Sequence, residues 1–175
     1  MHSALQYRDP RRSRRGSLLA EMPAGLYFLF IGIAFPMLIM CTIFLRVFLL
    51  YQTTVDSCKQ ASRSSTFTKA QTTATAVFNQ GKNAWGGISG TPTLSIMIRN
   101  LTTNSTSVST TKLASGSVDI SKNLYLARVV VAGQVEPLVK FPGSWQGLSI
   151  PGLTAAIPLT MTHVQYFENP PGLES

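Results

Sequence analysis

The sequence is poor in the residues from which catalytic and metal centres are built. Its 175 residues include two histidines, two cysteines and seven acidic residues. His2 and His163 lie at opposite ends of the chain, and no Cys/His cluster has the spacing of a zinc site. A phosphate-cradling glycine loop is missing. Ser109-Thr110-Thr111-Lys112 satisfies a Ser-x-x-Lys pattern, but the companion motifs of that enzyme class are absent, and a Thr/Ser-rich run produces such matches by chance. The triplets opened by Asn100 and Asn104 fit glycosylation acceptors, again inside a Thr/Ser-rich stretch. These absences favour a non-enzymatic role that uses neither a cofactor nor a metal. The two cysteines, Cys41 and Cys58, would lie about 25 Å apart on one helix, too far for an internal disulfide. Cys41 reads as a small hydrophobe, and Cys58 is placed where pairing between chains stays open.

Charge is also missing where it matters most. Residues 22–45 contain no Asp, Glu, Lys, Arg or His. As a helix these 24 residues rise about 36 Å, enough to cross a hydrocarbon core of about 30 Å with some tilt. A soluble core helix rarely stays apolar all round for so long. Nor does a secretory cleavage site of the Ala-x-Ala type follow the run; Arg46 and a second polar segment come instead. The run is therefore expected to remain as a membrane span.

The charge that is present is unevenly placed. Half of the formal net charge of +8 falls in residues 1–16, where Arg8, Arg11, Arg12, Arg14 and Arg15 stand against Asp9. Arg11, Arg12, Arg14 and Arg15 directly precede the apolar run, which assigns the N-terminus to the cytoplasm and the rest of the chain to the other side. An arginine cluster also suits nucleic acid, but only Tyr7 interleaves with it and a span abuts it, so topology is the better reading. The expected location is the cytoplasmic membrane, single-pass, and the first expected partner is the lipid bilayer rather than nucleic acid.

The junction reads Arg14-Arg15-Gly16-Ser17-Leu18-Leu19-Ala20-Glu21 and then the apolar run. It resembles the class III signal of type IV pilin-like proteins, and most closely the TadE/TadG-like pseudopilins of Tad-type pili. Tyr51-Gln52 and Ala61-Ser62-Arg63 stand where that family places a Tyr-Gln pair and an Ala/Arg-containing polar helix. The resemblance implies that a prepilin peptidase cuts after Gly16, that Ser17 becomes the new N-terminus, and that Glu21 serves subunit assembly as the fifth-position glutamate. It also implies other pilin-like subunits as partners in a bacterial envelope, and a place on a pilus or cell surface. Cutting before the span leaves the helix embedded. A carboxylate at Glu21 is costly at a membrane edge unless paired, and the Ser17 amine of a neighbouring subunit would pair it. The sequence departs from the family at Met22-Pro23, at mid-span Pro36 and in the Thr-rich segment near Ala74. An unprocessed signal-anchored envelope protein with a ligand- or partner-binding ectodomain is the alternative.

Beyond the span, Val55, Cys58, Ala61, Phe67, Ala70, Ala74, Val77 and Phe78 recur at spacings near three and four, predicting an amphipathic helix that continues the span. Gly81, Gly86, Gly87, Gly90 and Pro92 are turn signals that end it. Leu94, Ile96 and Ile98 alternate with Ser95, Met97 and Arg99 as in a strand. Residues 100–117 form a long hairpin loop or polar edge strands, 124–135 a central strand, 137–152 a loop, and 155–167 a last strand with Pro158 confined to its start or edge. The tail from Asn169 is expected to fray. Trp85 and Trp145 read as caps on the core in preference to contact surfaces.

The fold class is thus α+β: a long N-terminal transmembrane helix extending into an amphipathic helix, packed on a small antiparallel sheet. The divisions are a basic leader at 1–16, a span at 17–50, an amphipathic helix at 51–85, a β region at 86–168 and a tail at 169–175.

Overall fold

The computed structural model describes residues 22–139, 151–152 and 155–175. It is an α+β chain: one long apolar N-terminal helix, α1 (Met22–Ser62), a second helix, α2 (Phe67–Trp85), and a four-stranded antiparallel sheet. Two compact units divide at Cys41/Thr42. The described part of the first is helical throughout. The second, called the head below, holds the outer part of α1, α2 and the sheet.

Within the first unit the helix is not uniform. Phe30–Ala34 form a π turn, closed by the Phe35 N–H donating five residues back to the Phe30 carbonyl. Pro36 supplies a cause: it has no N–H to give, and its ring pushes against the carbonyl four residues earlier. Pro36 is thus accommodated by widening one turn, and the helix then resumes.

In the head, α1 carries its apolar stripe on small residues. Leu50, Thr54, Ser57, Cys58 and Ala61 are fully buried. The hydroxyls among them do not go unpaired: Thr54 donates to the Leu50 carbonyl at 2.8 Å and Ser57 to the Thr53 carbonyl at 2.7 Å. Back-bonding of this kind lets Thr and Ser sit against a sheet without a desolvation penalty.

The expectation of one helix through residues 51–85 is corrected at residues 63–66. There Ser64 N–H closes a turn on Ala61, and Thr66 caps a new helix by accepting from the Lys69 N–H at 3.2 Å. The cluster Ser62-Arg63-Ser64-Ser65-Thr66 contains neither Gly nor Pro, but Ser and Thr compete for backbone groups and favour N-caps over helix interiors. The chain reverses, and α2 lays Phe67, Ala70, Ala74 and Phe78 into the core. It returns close to α1, for a β-carbon on Gly81 would crowd the Thr53 side chain.

The sheet order is β2-β1-β3-β4, with β1 Ile88–Asn100, β2 Thr106–Ser109, β3 Asn123–Val135 and β4 Ile157–Tyr166. β3 is central, as its Val-rich alternation requires: Tyr125, Ala127, Val129, Val131 and Val135 are buried on one face. Leu94 pairs with Val129 and Ile96 with Ala127, while Met161 and His163 on β4 pair with Val131 and Val129. Residues 100–117 resolve the open alternative as a hairpin with a four-residue edge strand.

Two expectations need correction. β1 begins at Ile88, so Gly90 and Pro92 lie inside a strand and not in a turn. Pro92 is tolerated because β2 pairs only with Ile96 to Arg99, leaving β1 without a second neighbour at Pro92. Pro158 likewise stands near the start of edge strand β4. The tail does not fray: Pro170–Glu174 form a 3-10 helix whose Leu173 is buried.

Candidate functional site

The feature that sets this chain apart is the surface of α1. Phe28, Met37 and Phe44 are 76%, 67% and 67% exposed. Leu26, Tyr27, Leu29, Phe30, Ile31, Ile33, Leu38 and Met40 are exposed as well. A water-soluble monomer seldom shows contiguous apolar patches beyond a few hundred Å², and this helix is apolar on every side for many turns. It is long and apolar enough to cross a membrane.

The end of the apolar run is marked by Arg46. Its guanidinium turns toward the head, where Nη1 donates to the Glu136 carbonyl. It also lies against Gly87, whose φ of 69° favours glycine. The Glu136 N–H donates in turn to the Gly87 carbonyl at 2.9 Å. Arg46 thereby joins three segments that are distant in sequence: α1, the α2–β1 turn and the end of β3.

The residues singled out from the sequence fall into two groups. Gly16, Ser17, Glu21 and the arginines at 11, 12, 14 and 15 lie outside the described residues, as do His2 and Trp145. The others can be placed. Cys58, for which pairing between chains was open, is fully buried, so that pairing is excluded without unfolding. Its thiol donates to the Ala127 carbonyl at 3.3 Å and reaches the His163 carbonyl at 3.6 Å. Burial pushes it up to about 11, against the opposing effect of the Val129 and Gln165 backbone. Cys41 is exposed on the apolar helix. His163 lies on β4 with its ring edge-on to Tyr51, centroids 6.5 Å apart, a packing role and not a ligand's. Ser109 donates to the Thr111 carbonyl in a surface turn. Trp85 is 59% exposed and so does not cap the core, contrary to expectation.

Among the described residues no group of three His, Cys, Asp or Glu is placed to hold a metal. A groove of about 520 Å³ runs between α2 and β1 and is lined by neutral residues including Gln71, Thr72, Asn79 and Thr93. It contains no general acid or base.

The docked tail has a polar seam. Glu174 accepts from the Gly116 and Val118 N–H groups at 2.9 and 2.8 Å, and these bonds, Gly116 first, hold its carboxyl below the usual carboxylate range. Glu168 N–H donates to the Ser62 carbonyl at the end of α1, and the Asn169 side chain donates to the Ser65 carbonyl in the α1–α2 turn. The exposed Arg63–Glu168 pair beside them adds little.

Comparison with family models, with curated proteins and with solved structures returned no match.

Proposed function

We propose that this chain is a single-pass membrane protein of a Tad-type pilus or secretion apparatus, a minor pilin or pseudopilin with a structural and not an enzymatic role. The observation that carries the reading is the apolar exposure of α1 over residues 22–38, joined in one chain to a small antiparallel sheet. Burying that helix in lipid removes its apolar surface from water, where leaving it bare is costly at roughly 25 cal/mol per Å².

In this reading the arginines at 11, 12, 14 and 15 stay in the cytoplasm and the head stands outside it. A prepilin peptidase cuts after Gly16, which frees the Ser17 amine without releasing the helix. Glu21 then lies near the helix N-terminus at the membrane edge. There its charge suits the macrodipole and meets the Ser17 amine of a neighbouring pilin-like subunit. Lateral association proceeds through the span.

The test is the mass of the mature protein extracted with detergent. An N-terminus at Ser17, with Gly16→Val blocking the cut, is the expected result. A mature chain that retains Met1 or His2 overturns it. The second reading is an unprocessed signal-anchored envelope protein with a binding ectodomain, and the neutral groove between α2 and β1 is the observation in its favour. That reading has no use for Glu21, so Glu21→Gln would leave function intact.

A further inference from the structure

Helix α2 brings the chain back to the level at which α1 leaves its apolar run. From Ser62 down to Arg46 is about 24 Å of helix, and α2 returns over about 27 Å. Gly81 meets Thr53 on the way, and Gly87 meets Arg46 at the end. The sheet has the same polarity. Ile88 pairs with Val135 and Val135 with Ile157, so the α2–β1 turn and the β3–β4 connection leave from one end.

That end carries apolar side chains exposed among the described residues of the head. Trp85, Leu138 and Val139 are exposed at 59%, 52% and 38%. Lys82 stands one turn before Trp85, while Arg46 and Glu136 lie at the same level. On α1 the apolar surface does not stop at Arg46, since Phe48 and Tyr51 beyond it are also exposed. Residues 22–51 amount to about 45 Å of helix, against a hydrocarbon core of roughly 30 Å and a whole bilayer of roughly 40–45 Å. The surplus falls in the interfacial zone, where Trp and Tyr have their preferred place and cationic side chains reach phosphate.

We propose that this end of the head is a lipid-docking surface, with Trp85, Leu138 and Val139 seated in the headgroup and upper acyl region of the bilayer that α1 spans. The inference rests on the membrane reading above and adds to it: the head lies on lipid and is not merely tethered to it. Arg46 then serves as a brace, tying both immersed segments to the helix at the depth where they enter.

Trp145→Phe leaves Trp85 as the sole tryptophan in the full chain, and Trp145→Tyr is a second background should the first not fold. Reconstituted in phosphatidylcholine vesicles, Trp85 is expected to emit blue-shifted light and resist aqueous iodide. Lipids brominated high on the acyl chain should quench it about twofold. A companion chain with Trp85→Phe, Trp145→Phe and Phe30→Trp reports on the span, through lipids brominated near the chain end. Quenching of the Phe30→Trp reporter with Trp85 open to iodide overturns the docking surface and leaves the span standing. Loss of quenching at both positions overturns the membrane reading together with the docking built on it.

Discussion

Cys58 offers a sharp test of how α1 is held in the head. The perturbation is a thiol alkylating agent at pH 8, applied to the full chain in detergent with Cys41→Ala so that Cys58 alone reports. Alkylation needs the thiolate. A thiol titrating at about 11 is ionised roughly one part in a thousand at pH 8, whereas a free thiol near 8.5 is about a quarter ionised. Ionisation alone therefore slows the native reaction by roughly two hundredfold relative to unfolded chain. The side chain is also fully buried, with its S–H turned toward the Ala127 carbonyl, so an attacking reagent must wait for α1 to part from β3 and β4. The expected rate is at least two hundredfold below that in urea. Mass spectrometry of timed aliquots gives both rates. A native rate within tenfold of the unfolded one would refute the burial of Cys58 and, with it, the packing of α1 on the sheet.

Further outcomes follow from the same structure. Phe78→Ala empties a fully buried site on α2 and should cost about 3–5 kcal/mol, lowering the melting temperature of the head by roughly 10–15 °C in a calorimetric or circular-dichroism scan. Gly172→Ala has no room, because its β-carbon would fall on the Ser65 carbonyl, and should release the 3-10 helix, read as faster amide exchange at Leu113, whose N–H is held by the Leu173 carbonyl. Glu174 has a folded-state pKa below its unfolded value. Its contribution is full above the ordinary carboxylate pKa of about 4.3 and fades as the pH falls through the depressed one. Exchange at the Gly116 and Val118 amides should rise in that acidic window, after correction for intrinsic rates, and Glu174→Gln should flatten the response.

How much of this was legible beforehand depends on how far each signal extends. The apolar helix could be read at once, because an uncharged run of 24 residues has few competing explanations. The stripe from Val55 to Phe78 was legible too, and its members are buried apart from half-buried Val77. The helix break inside that stripe escaped notice because helical period survives a reversal when both arms face the same core. Its signal was the Ser/Thr cluster ending in Thr66 ahead of Phe67. Strand β1 was read too short because Gly90 and Pro92 are turn residues by local rule. Only the limited reach of β2 makes them acceptable in a strand, and that is a tertiary fact. The docking of Leu173 had no local signal beyond Pro170-Pro171. The outward placement of Trp85 has no local signal, since a tryptophan next to a core pattern looks the same whether it closes the core or faces outward.

The most direct measurement of the central claim is side-selective labelling of introduced cysteines on intact cells. Leu101→Cys lies on an exposed loop at the far end of the sheet from Ile88, and Ser3→Cys lies in the basic leader. Scored against parent chains with Cys41→Ala, a membrane-impermeant maleimide should label Leu101→Cys on intact cells. Ser3→Cys, read in a Gly16→Val chain that keeps the leader, should be labelled only after the membrane is permeabilised. Labelling of Leu101→Cys only after permeabilisation, or of Ser3→Cys without it, would contradict a helix that crosses the bilayer with its arginines inside and its head outside.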